Sequence, residues 1–220
     1  MKNEAICQEC VDALRSDYQT GSQSGIPVRG LRTRTLLSGC LVFSSLEYSG
    51  ICANTIVQFK KHGNLVLARH LRGLLAAAIA EAAEYALGLV TNEVELELCP
   101  VPSAKAADWR RGFNPIRTLL NASGLSASRV LKHSGRESQK KLNHKQRRVN
   151  ANGSIMANKM LQGRYFILVD DVVTSGATLT SAITAIQNAK GTVLACATLA
   201  TTPRISQAPP SSRDFHSYPD

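Results

Sequence analysis

Between residues 63 and 89 apolar side chains recur at steps of three and four, at Leu67, Leu71, Leu74, Ala78, Ala82 and Ala86. That spacing predicts a long helix with one buried face, and its alanine content suits close packing on a sheet. Segment 40–48 reads as a strand. Segment 95–101 alternates and then turns at Pro102, which reads as a strand ending in a loop. A short helix is expected over 115–123, because Pro115 is tolerated at a first helical position. A strand is expected at 128–132. The run RYFILV at 164–169 predicts a buried strand, and Leu179, Ala182, Ile183 and Ile186 give a packed face to a helix over 176–189. Gly191 is expected to end that helix, and 192–200 forms the next buried strand. Strand, helix and strand in that order make a βαβ unit, so the fold class expected is α/β with a mostly parallel sheet.

The rest of the chain is less patterned. Residues 1–39 read as an irregular N-terminal segment, 40–201 as the main domain and 202–220 as a disordered tail rich in Pro and Ser. Segment 136–150 is polar, basic and weakly periodic, as expected of a mobile or solvent-facing stretch. The longest apolar run, 65–90, is interrupted by Arg69, His70, Arg72, Glu81 and Glu84, so no membrane insertion is expected. The N-terminus has no apolar signal core, and the cytoplasm is the expected compartment.

Charge changes this picture in one respect. The formal net charge is +10, and the stretch 105–148 alone carries twelve Lys or Arg against the two acids Asp108 and Glu137. A surface of that sign attracts phosphates, whether on a metabolite or on a nucleic acid.

The chemistry concentrates in FILVDDVVTSGATLT, residues 166–180. An apolar strand ends in two adjacent acids, a short Thr/Ser/Gly loop follows, and a helix begins. In an open parallel sheet, ligands bind beyond the carboxyl ends of the strands. A helix N-terminus there offers unpaired N–H groups to a phosphate, and Gly176 permits close backbone approach. Thr174, Ser175 and Thr178 add hydroxyl donors beside Ala177. Asp170 and Asp171 would then meet a polyol or a hydrated metal, so a ribose 5-phosphate fits both halves of the site. The bland alternative is a capped helix after a strand with two exposed acids. The chain lacks a GxxxxGK[ST] string, a lysine in the loop and a GxGxxG string, which disfavours Walker-type and dinucleotide binding.

VDDVVTSGAT resembles the signature by which type I phosphoribosyltransferases bind 5-phosphoribosyl-1-pyrophosphate (PRPP). Phe59-Lys60-Lys61-His62-Gly63 is similar to a segment that precedes the long helix in the ComF family, the competence-protein-F-like members. Val101-Pro102-Ser103 with Arg111-Gly112-Phe113-Asn114 resembles that family's VP…RGFNQ motif, with Pro115 where the motif has Gln. Gln139, Leu142, Arg147 and Asn150 match a further family spacing. The resemblance runs from about residue 40 to 200. It implies a type I fold with helices on both faces of the sheet and a small variable hood. It further implies Asp170 and Asp171 on the ribose and magnesium, and Thr174, Ser175, Gly176, Ala177 and Thr178 around the 5-phosphate. Val101, Pro102, Ser103, Ala104 and Lys105 would form the pyrophosphate loop, with Arg111, Arg147 and Asn150 beside the leaving group. Mg2+ would bridge pyrophosphate and ribose oxygens. Arg111 also reads as a surface charge, Arg147 and Asn150 as loop residues, Trp109 as a packing residue, and His62 and His70 as surface or helix residues.

Six cysteines complete the list. Cys99 and Cys196 sit in apolar runs and read as buried small hydrophobes. Cys7 and Cys10 form a lone CxxC, and with Cys40 and Cys52 they make either a structural Zn2+ site or the remnant of the zinc module that many ComF-type proteins carry. Three functions stay open at this point: phosphoribosyl transfer from PRPP to an unidentified acceptor, a DNA-uptake role on single-stranded DNA beside the competence helicase machinery, and PRPP sensing without turnover. A homodimer is likewise open.

Overall fold

The computed structural model describes residues 33–62, 65–103, 111–133 and 155–202. A hairpin opens the described chain, with β1 (Thr33–Leu37) antiparallel to β2 (Cys40–Glu47). Its two-residue turn places Ser38 at φ 51° and Gly39 at φ 80°, the left-handed pair that matches the twist of a tight hairpin. Among the described residues the sheet starts at Thr33, and the boundary expected after residue 39 lies at the end of this turn.

Two helices follow, α1 (Gly50–His62) and α2 (Leu65–Gly88). The first was not foreseen from the sequence, although its buried residues Cys52, Ile56 and Phe59 keep helical steps of four and three. Next come β3 (Leu96–Pro100), α3 (Pro115–Ala122), β4 (Leu131–His133) and β5 (Ile155–Ala157). The chain closes with β6 (Tyr165–Val173), α4 (Ala177–Asn188) and β7 (Thr192–Thr201). The main sheet has the order β1-β2-β7-β6-β3, in which every pair but β1–β2 is parallel. A separate antiparallel pair joins β4 to β5, so the strand expected at 128–132 starts three residues later.

Alternation along the strands divides the core between the two faces of the sheet. Phe43, Ile167, Val169 and Ala197 face α1, α2 and α3 with Phe59, Leu71, Leu75 and Leu119. Val42, Phe166, Leu168 and Cys196 face α4 and the β4–β5 pair with Leu179, Ile183, Ile186 and Ile155. Between Phe166 and Ile167 the partner on β7 jumps from Val193 to Ala195. The extra residue turns Leu194 toward the same side as Ala195.

The end of α4 corrects one expectation. Lys190, not Gly191, takes the left-handed conformation, at φ 67°. Its N–H donates to the Gln187 carbonyl and that of Gly191 to the Ile186 carbonyl, a Schellman closure. Gly191 is needed for space, because a Cβ there would lie 2.8 Å from Ile186 Cγ2 and 2.9 Å from Leu161 Cβ. No helix among the described residues is long and apolar enough to cross a membrane. The expected features of 1–32, 136–150 and 203–220 lie outside the described residues.

Candidate functional site

Parallel β3 and β6 deliver their carboxyl ends to one cleft. The strand β6 runs on to Val173, so Asp170 and Asp171 sit inside its hydrogen-bonded span. Beyond β3, the N–H of Val101 donates to the Val169 carbonyl at 2.8 Å, which holds Val101-Pro102-Ser103 beside the two acids. The cleft encloses roughly 220 Å³, and Val101, Pro102, Ser103, Arg111, Asp170, Asp171 and Thr178 all line it, as do Lys60, Asn114 and Ile116.

The two carboxylates have different surroundings. Asp171 follows the alternation of Ile167 and Val169 toward the α1 side, and there its Oδ2 meets Lys60 Nζ at 2.8 Å. Asp170 follows Phe166 and Leu168 toward the α4 side, and its Oδ1 accepts the N–H of Asp171 at 2.8 Å. Burial, reinforced by the neighbouring Asp171 charge, pushes the Asp170 carboxyl up to about 8, against the opposing pull of the Asp171 N–H and Lys60.

The loop after β6 is built for close approach. Gly176 occupies the N-cap of α4 at φ 75°, and no side chain caps the helix there. The positive φ favours glycine, and a Cβ would stand 2.5 Å from Leu37 Cδ1, so that side chain would have to shift. The turn between β1 and β2 roofs the loop a second time, where Ser38 Oγ donates to Thr180 Oγ1 at 3.1 Å. Thr202 pins the other side, its hydroxyl donating to the Thr174 carbonyl at 3.2 Å and its N–H to the Val173 carbonyl at 2.9 Å. Thr174, Ser175, Ala177 and Thr178 are left exposed around the helix N-terminus.

Opposite the acids stands the turn of Arg111-Gly112-Phe113-Asn114. Gly112 has φ 73°, and Asn114 caps α3 by accepting the Arg117 N–H at 3.0 Å on its Oδ1. Its Nδ2 donates to Ser103 Oγ at 3.1 Å, which ties this turn to the Val101-Pro102-Ser103 segment. Pro115 takes the first helical position and leaves the cap intact.

The structure thus brings together Asp170, Asp171, Thr178, Val101, Pro102, Ser103 and Arg111. Ala104, Lys105, Arg147 and Asn150 lie outside the described residues, as do Cys7 and Cys10. Lys60 had been noted only as part of a motif, and its contact with Asp171 is the functional feature that the sequence did not reveal. The four-cysteine zinc site is corrected. Cys40 is buried among the residues that face α4, and Cys52 among those that face α2, so the sheet separates the two thiols. Cys40 Sγ donates to the Val193 carbonyl, and burial pushes its thiol up to about 11.

For magnesium the fit is better. Among the described residues no group of three or more His, Cys, Asp or Glu gathers at one place. Two carboxylates in a cleft suit a hard cation that draws its other oxygens from water and a ligand's phosphates.

A family model described as the phosphoribosyl transferase domain matches residues 78–219. DNA utilization protein YhgH from Escherichia coli O157:H7 is 26% identical over 191 residues, covering 79% of this chain and 80% of the relative. The proteins of the same name from Escherichia coli strain K12 and Shigella flexneri match to the same extent. A hypoxanthine phosphoribosyltransferase structure from Staphylococcus aureus aligns at 12% identity and a TM-score of 0.36, over 64% of this chain and 68% of that one.

Proposed function

Because the chain belongs to the phosphoribosyl transferase domain family and is ComF-like within it, we propose that its cleft binds PRPP with magnesium and transfers the phosphoribosyl group to an acceptor, releasing pyrophosphate. One observation carries the reading: Asp170 and Asp171 share a single cleft with the N-terminus of α4 on one side and with Ser103 and Arg111 on the other. The carboxylates accept hydrogen bonds from the ribose hydroxyls. The loop Thr174, Ser175, Gly176, Ala177 and Thr178 takes the 5-phosphate through backbone N–H and hydroxyl groups, each such bond to a charged partner contributing roughly 1.5–3 kcal/mol. Val101, Pro102 and Ser103 border the pyrophosphate, with Arg111 placed to offset its departing charge; Ala104, Lys105, Arg147 and Asn150 belong to the same proposal by motif. Asp170 and Asp171 would help hold magnesium, which would supply charge neutralisation for the departing pyrophosphate. No protein nucleophile is required, since catalysis consists of positioning and of stabilising the leaving charge.

Calorimetric titration of PRPP with magnesium into the wild type and into an Asp170→Asn/Asp171→Asn double variant tests this. Binding to the wild type that is lost in the folded variant supports the reading, and absence of binding to the wild type refutes it. A second reading draws on the relatives' name: the basic stretch 105–148 engages single-stranded DNA through its phosphates, with or without turnover at the cleft. Anisotropy of a labelled single strand that shows no binding even at low salt would remove it.

A further inference from the structure

Lys60 occupies an unusual place for a lysine. It lies on the last turn of α1, where the carbonyl end of a helix favours a cation. Phe59 beside it is almost wholly buried and packs on Phe113, which fixes the rotation of the helix and directs the next residue into the cleft. There Nζ sits 2.8 Å from Asp171 Oδ2, with the two side chains 29% and 20% exposed, so solvent screens the pair only in part. The Asp171 N–H is already engaged by Asp170 Oδ1, so the two acids stand together as one unit.

We propose that Lys60 is the resident counter-ion of this unit, holding the position on Asp171 that a divalent cation would otherwise take. With Lys60 in place, the charge of Asp171 is already offset, and a free cation finds a weak site. A ligand that arrives with its own phosphates and cation displaces the ammonium, and the four-carbon tether lets Lys60 move aside within the cleft. A lysine suits this exchange better than an arginine fork, because a point charge makes no planar two-bond clasp to break. The same cleft holds Ser103 and Arg111, so the displaced ammonium stays beside the position of the leaving pyrophosphate. The inference rests on the PRPP reading for the identity of the displacing ligand, and on the ion pair alone for the weak free-cation site.

The two parts are separable by experiment. Mn2+ alone, followed by the electron paramagnetic resonance signal of the free ion, is titrated into the wild type, Lys60→Met, Lys60→Arg and Lys60→Met/Asp171→Asn. Removing a positive charge 2.8 Å from the carboxylate leaves that charge to the metal, so Lys60→Met is expected to bind Mn2+ on the order of tenfold more tightly than the wild type. Lys60→Arg should stay near the wild type, and the double variant should lose the gain. Equal Mn2+ affinity in Lys60→Met and the wild type overturns the proposal, and so does a gain that survives Asp171→Asn. Circular dichroism confirms that each variant is folded. A PRPP titration in parallel isolates the other premise. Absent PRPP binding with the Mn2+ gain intact removes PRPP as the displacing ligand and leaves the counter-ion role standing. PRPP binding without the Mn2+ gain removes the counter-ion role and leaves the PRPP reading standing.

Discussion

The ring of Phe59 lies 5.7 Å from that of Phe113, centroid to centroid, tilted by 59°. Phe59 ends the buried face of α1 and Phe113 belongs to the turn before α3, so one aromatic contact joins the two segments that carry Lys60 and Arg111. Tilted aromatic pairs of this kind add about 0.5–1.5 kcal/mol beyond their buried area. Phe59→Ala should therefore destabilise the fold by about 3–5 kcal/mol in urea unfolding. Phe113→Ala should cost less, because that side chain is only partly buried, yet weaken PRPP binding by freeing the Arg111 turn. Unchanged PRPP affinity in Phe113→Ala would show that the pair serves stability alone.

Asn114 has two tasks that one substitution separates. Asn114→Ala removes the cap of α3 and should lower stability by about 1 kcal/mol. Asn114→Ser restores a capping oxygen but is too short to reach Ser103, so it should recover most of that stability while PRPP affinity stays reduced. Thermal melts and calorimetry on the same two variants read the two effects apart. Full recovery of affinity in Asn114→Ser would mean that the tie to Ser103 does not position the loop.

Gly176→Ala should be strongly destabilising for two reasons. A left-handed φ costs a residue with a Cβ roughly 1–2 kcal/mol, and the contact with Leu37 adds overpacking of about 1–3 kcal/mol. Adding Leu37→Ala should relieve the second cost and leave the first, with stability of the double variant between the wild type and Gly176→Ala. A double variant no more stable than Gly176→Ala would dismiss the steric account.

Acid stability should depend on Glu97. Its carboxyl accepts two hydrogen bonds from Arg164, at 2.6 Å from Nε and 2.5 Å from Nη2, and one from Ser128 Oγ. The Arg164 hydrogen bonds hold the carboxyl below the usual glutamate range, against partial burial and with help from Ser128. A depressed folded value means the ionised form is favoured by folding. Its contribution is complete above the ordinary glutamate pKa of about 4.3 and is lost as pH falls through the lower folded value. Glu97→Gln should lose about 1 kcal/mol at pH 7 and show a shallower decline in stability below pH 4.5 than the wild type. Parallel pH–stability curves would contradict this.

Legibility in the sequence followed the strength of the local signal. The stretch from Phe166 to Ala200 was readable because an uninterrupted apolar run, a Gly-containing loop and a second apolar run have few alternative folds. Strand β1 was missed because its burial alternates but its residue types do not: polar Thr35 is buried and apolar Leu36 is exposed at the sheet edge. Helix α1 was missed because its buried stripe is narrow and its end is basic. The acids and the glycine of the site were legible as residue types in a known order. Lys60 was not, because its role depends on a contact between segments 111 residues apart in the chain. Nor did the spacing of Cys40 and Cys52 disclose that a sheet stands between them.

Asp170 is paired with Thr198 on β7, and the pairing continues through Val172 and Ala200. The acids are therefore held on the hydrogen-bonded ladder of a parallel strand pair, while the cation that faces them hangs from a flexible stem. One wall of the cleft is an anvil and the other a spring. An incoming molecule must meet the acids where they stand, and adaptation to molecules of different shape falls to the basic side.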